Sequence, residues 1–270
     1  VGSEMCIRDR FCFAQSLNQD EKDIQRFVEN KTSEAIELLE KIVNINSGTL
    51  NIKGNQKVGK ILQKELDKLG FNTYWVTYPK EVKRSGHLFA EMRGGKGKKI
   101  TMVGHLDTVF EKDHPFQKFV RKGNKAYGPG VDDMKSGDVS MLYIMKALNH
   151  IGKLKDMNLT LVFIGDEEKL GAHYSIVRKE LIDAGKWADI GLGFEGATGI
   201  ETGTIARRSA SSWILTTTGI QGHSSRVFSE TLGYGAIFEA SRILNSFREE
   251  LACLLYTSDS AAERSSVDLG

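Results

Sequence analysis

The feature that most constrains the fold is an apolar segment, residues 99–109, that ends abruptly in polar side chains. A short apolar run bounded by lysines is typical of a strand buried on both faces of a sheet. His105 and Asp107 stand at its carboxyl end, where open α/β sheets bind their ligands. Because they are two residues apart, their side chains point to the same face of an extended chain. The pair is a candidate metal site, and a hydrogen-bonded structural pair is the alternative.

Strand-like and helix-like segments alternate along the chain. Apolar, strand-like segments cover residues 71–78, 87–92, 159–164 and 190–194, and segments with helical periodicity lie between most of them. This order predicts an α/β fold, which we expect to have a mixed, largely parallel sheet with helices on both faces. The composition shifts near Thr202, where a second α+β domain is expected to begin.

The two ends of the chain do not continue the pattern of its body. Residues 1–10 and 252–270 resemble translated adapter sequence, so we expect both to be artefactual and to take no part in the fold. Residues 11–19 contain an apolar FCFA followed by small and polar residues, which resembles the tail of a secretory signal. We therefore expect a periplasmic or secreted protein, or a cytoplasmic one if this segment is only a frayed terminus.

The composition narrows the kinds of site that the chain can build. The formal net charge of +2 favours neither nucleic acid nor a membrane surface as a partner, and we expect neither. The three cysteines are Cys6, Cys12 and Cys253, so the body offers no thiolate ligands and no disulfide framework. A metal site in this protein would have to be built from His, Asp and Glu.

Further acidic groups follow at the ends of other elements: Asp132, Asp133, Glu167, Glu168 and Glu195. Taken singly, the two pairs are explained as a helix cap and an acidic helix N-terminus. Taken together at strand ends, they indicate a cation, because carboxylates a few ångströms apart raise each other's pKa. One imidazole with many carboxylates and no cysteine is typical of a hydrolytic zinc, manganese or cobalt site, and the number of carboxylates favours two ions bridged by an aspartate.

Five segments in order resemble one family of enzymes. The segments are HLDTV at 105–109, GPGVDDMKSG at 128–137, DEE at 166–168, FEG at 194–196 and GIQGHSS at 219–225. Their order and spacing resemble the di-zinc metallopeptidase family of aminoacylase, acetylornithine deacetylase, succinyl-diaminopimelate desuccinylase and carboxypeptidase G, with carboxypeptidase G (glutamate carboxypeptidase) the most similar. One such motif is weak, whereas five in order are specific. The resemblance implies a zinc exopeptidase-like catalytic domain over residues 20–203 and the beginning of an inserted lid and dimerisation domain over 204–251.

The resemblance also implies a set of metal ligands. His105 would bind one zinc ion, and Asp107 would orient it or raise its basicity. Asp133, two residues before the lysine of the D-x-K motif, would bridge two ions. Glu168 would bind one zinc ion and Glu195 the other. The same ligands accept cobalt or manganese in place of zinc.

The catalytic roles that the resemblance implies fall on two further residues. Glu167 would be the general base, and His223 of the lid domain would stabilise a tetrahedral oxyanion in the active site of a partner subunit. The implied protein is a homodimeric exopeptidase or deacylase that cleaves a peptide or N-acyl amide bond next to a free-carboxylate amino acid.

The sequence also bears on other interpretations of the chain. Members of the family place a further zinc-ligating histidine and the residues that bind the substrate carboxylate after the lid, and this chain has no matching residues. An inactive fragment or a non-catalytic pseudo-enzyme is therefore the rival interpretation. A serine hydrolase is disfavoured because residues 222–226, GHSSR, lack the G-x-S-x-G elbow. A dinucleotide-binding fold is disfavoured because residues 128–133 end in aspartate, which would repel a pyrophosphate.

Overall fold

The computed structural model describes residues 17–196, 199, 202–205, 213–226 and 228–256, with side chains as far as residue 250. The segment 1–10 expected to be artefactual lies outside these residues, as do most of the expected signal remnant and the tail from residue 257. The chain forms two compact units, Val1–Gly203 and Thr204–Gly270, which are described separately.

The first unit contains a five-stranded sheet in the order β1–β2–β6–β3–β7. Strands β3, β6 and β7 run parallel to one another, whereas β2 is antiparallel to both β1 and β6. The expected mixed sheet is confirmed, but the expectation that it is largely parallel was wrong, since two of its four pairings are antiparallel. The strands are β1 (Asn72–Val76), β2 (His87–Met92), β3 (Lys99–His105), β6 (Asn158–Ile164) and β7 (Ile190–Gly193).

The antiparallel half of the sheet results from the short connections between the first three strands. Ten residues join β1 to β2 and six join β2 to β3, and neither connection contains an α-helix. Parallel neighbours need a crossover of a dozen or more residues, so short links reverse the chain instead. Two further short strands, β4 (Val120–Lys122) and β5 (Lys125–Tyr127), form a separate hairpin that the sequence pattern did not indicate.

Helices cover both faces of the sheet, as expected. Along β6, Leu161 and Phe163 point into the larger core, and Val162 and Ile164 point into the smaller one, following the two-residue period of a strand. The larger core is closed by α1 (Gln19–Val43), α2 (Ile52–Lys68) and α3 (Ser136–His150). The smaller core is closed by α5 (Lys179–Trp187), which follows the short helix α4 (Tyr174–Val177).

The described part of the second unit is mainly helical. A 3₁₀ turn covers Ser224–Arg226 and is followed by α6 (Ala236–Tyr256). No strand is assigned among residues 202–205, 213–226 and 228–256, so the β part of the expected α+β lid is not seen there. None of the helices in the described part of the chain is both long and apolar enough to cross a bilayer.

Candidate metal centre

The site begins at His105, the last residue of β3, whose side chain is almost completely buried. Its Nδ1 lies 3.0 Å from the backbone oxygen of Asp107 and 3.6 Å from Asp107 Oδ1. Its Nε2 lies 2.9 Å from Asp133 Oδ1 and 3.5 Å from Glu195 Oε1. A proton on Nδ1, donated to the Asp107 carbonyl, leaves Nε2 as the nitrogen that can bind a metal ion.

Asp107 is fully buried, and its carboxylate accepts hydrogen bonds from two other segments of the chain. Its Oδ2 accepts hydrogen bonds from Thr49 Oγ1 at 2.7 Å and from the Glu168 N–H at 3.1 Å. Its Oδ1 accepts the Glu167 N–H at 3.0 Å. Burial alone would raise the pKa of Asp107, but the hydrogen bonds from His105 and Thr49 outweigh it and lower the pKa below its usual value. These bonds suit an orienting carboxylate better than a metal ligand.

Asp133 lies in the turn that leads into α3, and the peptide bond that follows it is cis. The turn begins at Gly130, which has a φ of 74° that glycine adopts without steric cost. It is anchored by the buried Lys135, whose Nζ donates to the carbonyl oxygens of Ile42 and Ile45 at 3.1 and 3.2 Å. An ammonium group is favourable at the C-terminal end of a helix, here α1. Burial nevertheless lowers the pKa of Lys135 to about 8.

The carboxylates converge with His105 in two groups. Potential ligand atoms of His105, Asp133 and Glu195 lie within 4.8 Å of one another, and so do those of His105, Glu167 and Glu168. Asp133 belongs to the first group, and Asp132 belongs to neither. Of the two adjacent glutamates, Glu167 is exposed and Glu168 is half-buried.

The electrostatics of these groups favour a bound cation. Burial, together with the charge of Asp133, raises the pKa of Glu168 to about 7. Burial also raises the pKa of Glu195, although the imidazolium of His105 opposes this. Burial lowers the pKa of His105, but its hydrogen bond to Asp107 and the surrounding carboxylates outweigh burial and raise it to about 10. A divalent ion would relieve the repulsion between the carboxylates, and imidazole nitrogen with carboxylate oxygen is a donor set that zinc accepts.

Asp138, on α3 beneath the site, was not singled out from the sequence. It is fully buried, and neither of its carboxylate oxygens has a hydrogen-bond partner among the described residues. Burial raises its pKa well above the usual value. A Cβ atom at Gly104 would lie 2.3 Å from Asp138 Oδ1 and 2.9 Å from Met134 Cε. The position before His105 therefore needs a glycine, because α3 packs directly on the strand there.

A cleft of about 330 Å³ opens beside Glu195. It lies at the small end of the range for ligand pockets. Asp132, Ser136, Ser140 and Phe194 contribute to its lining, so Asp132 faces this cleft and not the metal groups.

His223 belongs to the second unit and is exposed. Its Nδ1 accepts the backbone N–H of Ser225 at 3.2 Å and lies 2.9 Å from Ser225 Oγ. With Nδ1 acting as an acceptor, the neutral ring carries its proton on Nε2. Its approach to a partner's active site stays a prediction.

Comparison with known proteins identifies the family. Residues 101–234 match Peptidase family M20/M25/M40. Carboxypeptidase G2 of Pseudomonas sp. (strain RS-16) is 32% identical over 217 residues, which are 77% of this chain and 49% of that protein. Succinyl-diaminopimelate desuccinylase of Buchnera aphidicola subsp. Cinara cedri is 32% identical over 166 residues, which are 55% of this chain and 40% of that protein. The chain belongs to peptidase family M20/M25/M40, a family of metallohydrolases, as the resemblance implied.

Solved structures agree on the fold. Human carnosine dipeptidase 1 matches with a TM-score of 0.55 at 16% identity, over 73% of this chain and 43% of that chain. The present chain spans about half the length of the curated relatives it matches, or less.

The packing of α3 on β3 can be tested at Gly104. We expect Gly104→Ala to lower the free energy of unfolding by about 1–3 kcal/mol, because its methyl group would overlap Asp138 and Met134. Gly191→Ala on the neighbouring strand β7 is the matched control, since nothing lies within 4 Å of its Cβ position. Urea unfolding followed by circular dichroism measures both variants. Equal stability of the two would contradict the close approach of α3 to β3.

Proposed function

We propose that this protein is a metal-dependent exopeptidase or deacylase that hydrolyses a peptide or N-acyl amide bond next to an amino acid with a free carboxylate. The observation that carries the proposal is the convergence of His105, Asp133 and Glu195 within 4.8 Å, with Glu167 and Glu168 beside them. The family assignment supports it, and so do the names of similar proteins, which include a carboxypeptidase, a desuccinylase and a dipeptidase.

The ligands present suit two divalent ions. His105, Asp133 and Glu195 would hold one ion, and Asp133 and Glu168 would hold the second, with Asp133 shared between them. Zinc suits this mixture of imidazole and carboxylate ligands best, and cobalt or manganese would be accepted as well. When bound, such ions polarise a substrate carbonyl and lower the pKa of water.

Glu167 is the residue best placed to move the proton. Its N–H is fixed by Asp107 while its exposed carboxylate faces the site, and it makes no hydrogen bond or ion pair within the described residues that would occupy it. The carboxylate would take a proton from the attacking water and deliver it to the leaving nitrogen as the C–N bond breaks. The oxygen of the water thereby becomes part of the carboxylate product, and the transferred proton becomes part of the amine product.

Two further proposals concern the whole protein. The Nε2–H of His223 would donate to the oxyanion in a partner subunit, which requires a homodimer. Export to the periplasm or the exterior rests on residues 11–19 alone, most of which lie outside the described residues.

Zinc binding to the metal-free chain tests the centre directly. At a free zinc concentration 100 times Kd, binding stabilises by about 2.7 kcal/mol, so Tm should rise by about 5–10 °C. His105→Ala and Glu195→Gln should lose most of this shift, whereas His150→Ala, an exposed histidine at the end of α3, should keep it. An undiminished shift in His105→Ala would place the zinc elsewhere.

Glu167→Gln tests the general base. The variant should bind zinc as the parent does and hydrolyse N-acyl amino acids and dipeptides about 10²–10⁴-fold more slowly, because the proton acceptor is lost. Amino acid release measures the rate, and Glu37→Gln on the exposed face of α1 is the control. Full activity in Glu167→Gln contradicts the assignment. Zinc binding without hydrolysis of any substrate by the parent chain would favour the rival interpretation, an inactive or non-catalytic protein.

His223→Ala tests whether His223 stabilises the oxyanion or binds the metal ion. Turnover should fall by about 10²–10³-fold, as for other oxyanion donors, while the zinc content measured by mass spectrometry stays the same. Loss of zinc in this variant would show that His223 is a ligand.

A further inference from the structure

We propose that Arg178 is a positioning residue that fixes Glu167 and Glu168 through a buried ion pair with Asp166. The inference rests on the proposed function, because it concerns how the base and the ligand assigned there are held in place. Both glutamates lie in the segment 165–173 between β6 and α4, which has no regular secondary structure. The order of this segment must therefore come from tertiary contacts.

Arg178 binds Asp166, the residue that directly precedes Glu167, through its side chain and its backbone. Arg178 Nη1 lies 2.6 Å from Asp166 Oδ1, and Nη2 donates to the backbone oxygen of Asp166 at 3.1 Å. The other carboxylate oxygen, Oδ2, accepts the Gly171 N–H at 3.2 Å. Asp166 is fully buried and Arg178 is 9% exposed, so solvent screens this pair little. One guanidinium thus holds both the side chain and the main chain of Asp166, which the single ammonium of lysine cannot reproduce.

A second buried side chain ties the start of the segment to its end. His87, the first residue of β2, accepts the Gly165 N–H at its Nδ1 at 3.1 Å. Its Nε2 donates to the carbonyl oxygen of Val177 at 2.8 Å, and the same oxygen accepts from Tyr78 Oη at 2.8 Å. Arg178 Nη1 also reaches this oxygen, at 3.2 Å. The backbone beside Arg178 is therefore anchored independently of the ion pair.

The turn is held from its other side by Asp107, which accepts the N–H groups of Glu167 and Glu168. Backbone groups of four consecutive residues, 165 to 168, are thus fixed by His87, Arg178 and Asp107. A small rotation of the Asp166 peptide would swing both glutamate side chains. Weakening the contacts of Arg178 with Asp166 should therefore change metal binding and proton transfer as well as stability.

The test is zinc binding to the full chain, measured by calorimetry with zinc alone. Arg178→Lys and Asp166→Asn should weaken the zinc site that contains Glu168 by about 10–100-fold, the usual effect of removing a group that supports a ligand. The site of His105, Asp133 and Glu195 should stay within about threefold.

Lys146→Met is the matched control. It removes two other ion pairs of the first unit, in which Lys146 Nζ lies 2.9 Å from Glu65 Oε2 and 3.5 Å from Glu34 Oε1. The Lys146 side chain is 17% exposed. We expect it to lower stability in urea without changing either zinc affinity. If Arg178→Lys and Asp166→Asn behave like this control, Arg178 only stabilises the fold and the inference is wrong.

Glu168→Gln separates this inference from the proposed function. A loss of zinc affinity in Glu168→Gln without a loss in Arg178→Lys overturns the positioning role alone. No loss in Glu168→Gln means that Glu168 is not a ligand, and the proposed two-ion centre then fails with the inference. Arg178→Ala adds a readout that a structural role would not give: methylguanidinium, but not methylammonium, should restore its zinc affinity. Failure of methylguanidinium to restore it counts against the positioning role.

Discussion

The carboxylate of Asp107 is fully buried, and a buried charge is tolerated only where donors and an opposite charge surround it. Here the donors come from Thr49 after α1 and from the turn after β6, and the opposite charge comes from His105 at the end of β3. Satisfying one carboxylate therefore draws three distant parts of the chain together. Removing any donor would leave a charge-assisted hydrogen bond unmade in the interior, so the geometry of the site and the stability of the sheet edge depend on each other.

The order of the strands explains why the other groups meet at this edge. β3 lies between β6 and β7 and is parallel to both, so the residues after these three strands emerge side by side. The site takes His105 from the last position of β3, and it takes the acidic segment 166–168 and Glu195 from the residues after β6 and β7. Because β2 is antiparallel to β6, its first residue, His87, lies at the same edge. The antiparallel half of the sheet thus supplies support behind the site and none of the proposed ligands.

The carboxylates of the site repel one another, and the neighbouring cations compensate this repulsion only in part. Two buried cations, Lys135 and Arg178, support the turns that carry the acidic groups, one through the C-terminal end of α1 and the other through Asp166. Burial raises the pKa of Glu168 and of Glu195, and the charge of Asp133 raises both further. A site that is destabilised in this way is typical of a protein whose metal ion completes the charge balance.

The sequence by itself determined the five strands of the main sheet and the polar groups at their ends, because apolar runs and periodicity are local properties that each segment displays on its own. The resemblance carried by the motifs predicted His105, Asp107, Asp133, Glu167, Glu168 and Glu195 as site residues, and its D-x-K pattern is what favoured Asp133 over Asp132. Only the tertiary structure decided the antiparallel half of the sheet, the acceptor role of Asp107 toward Thr49, the burial of Asp138 beneath Gly104 and the pairing of Arg178 with Asp166. These contacts join residues from 11 to 75 positions apart in the chain, through turns without a repeating pattern. Which residues meet in these contacts depends on how loops of particular lengths pack against the sheet.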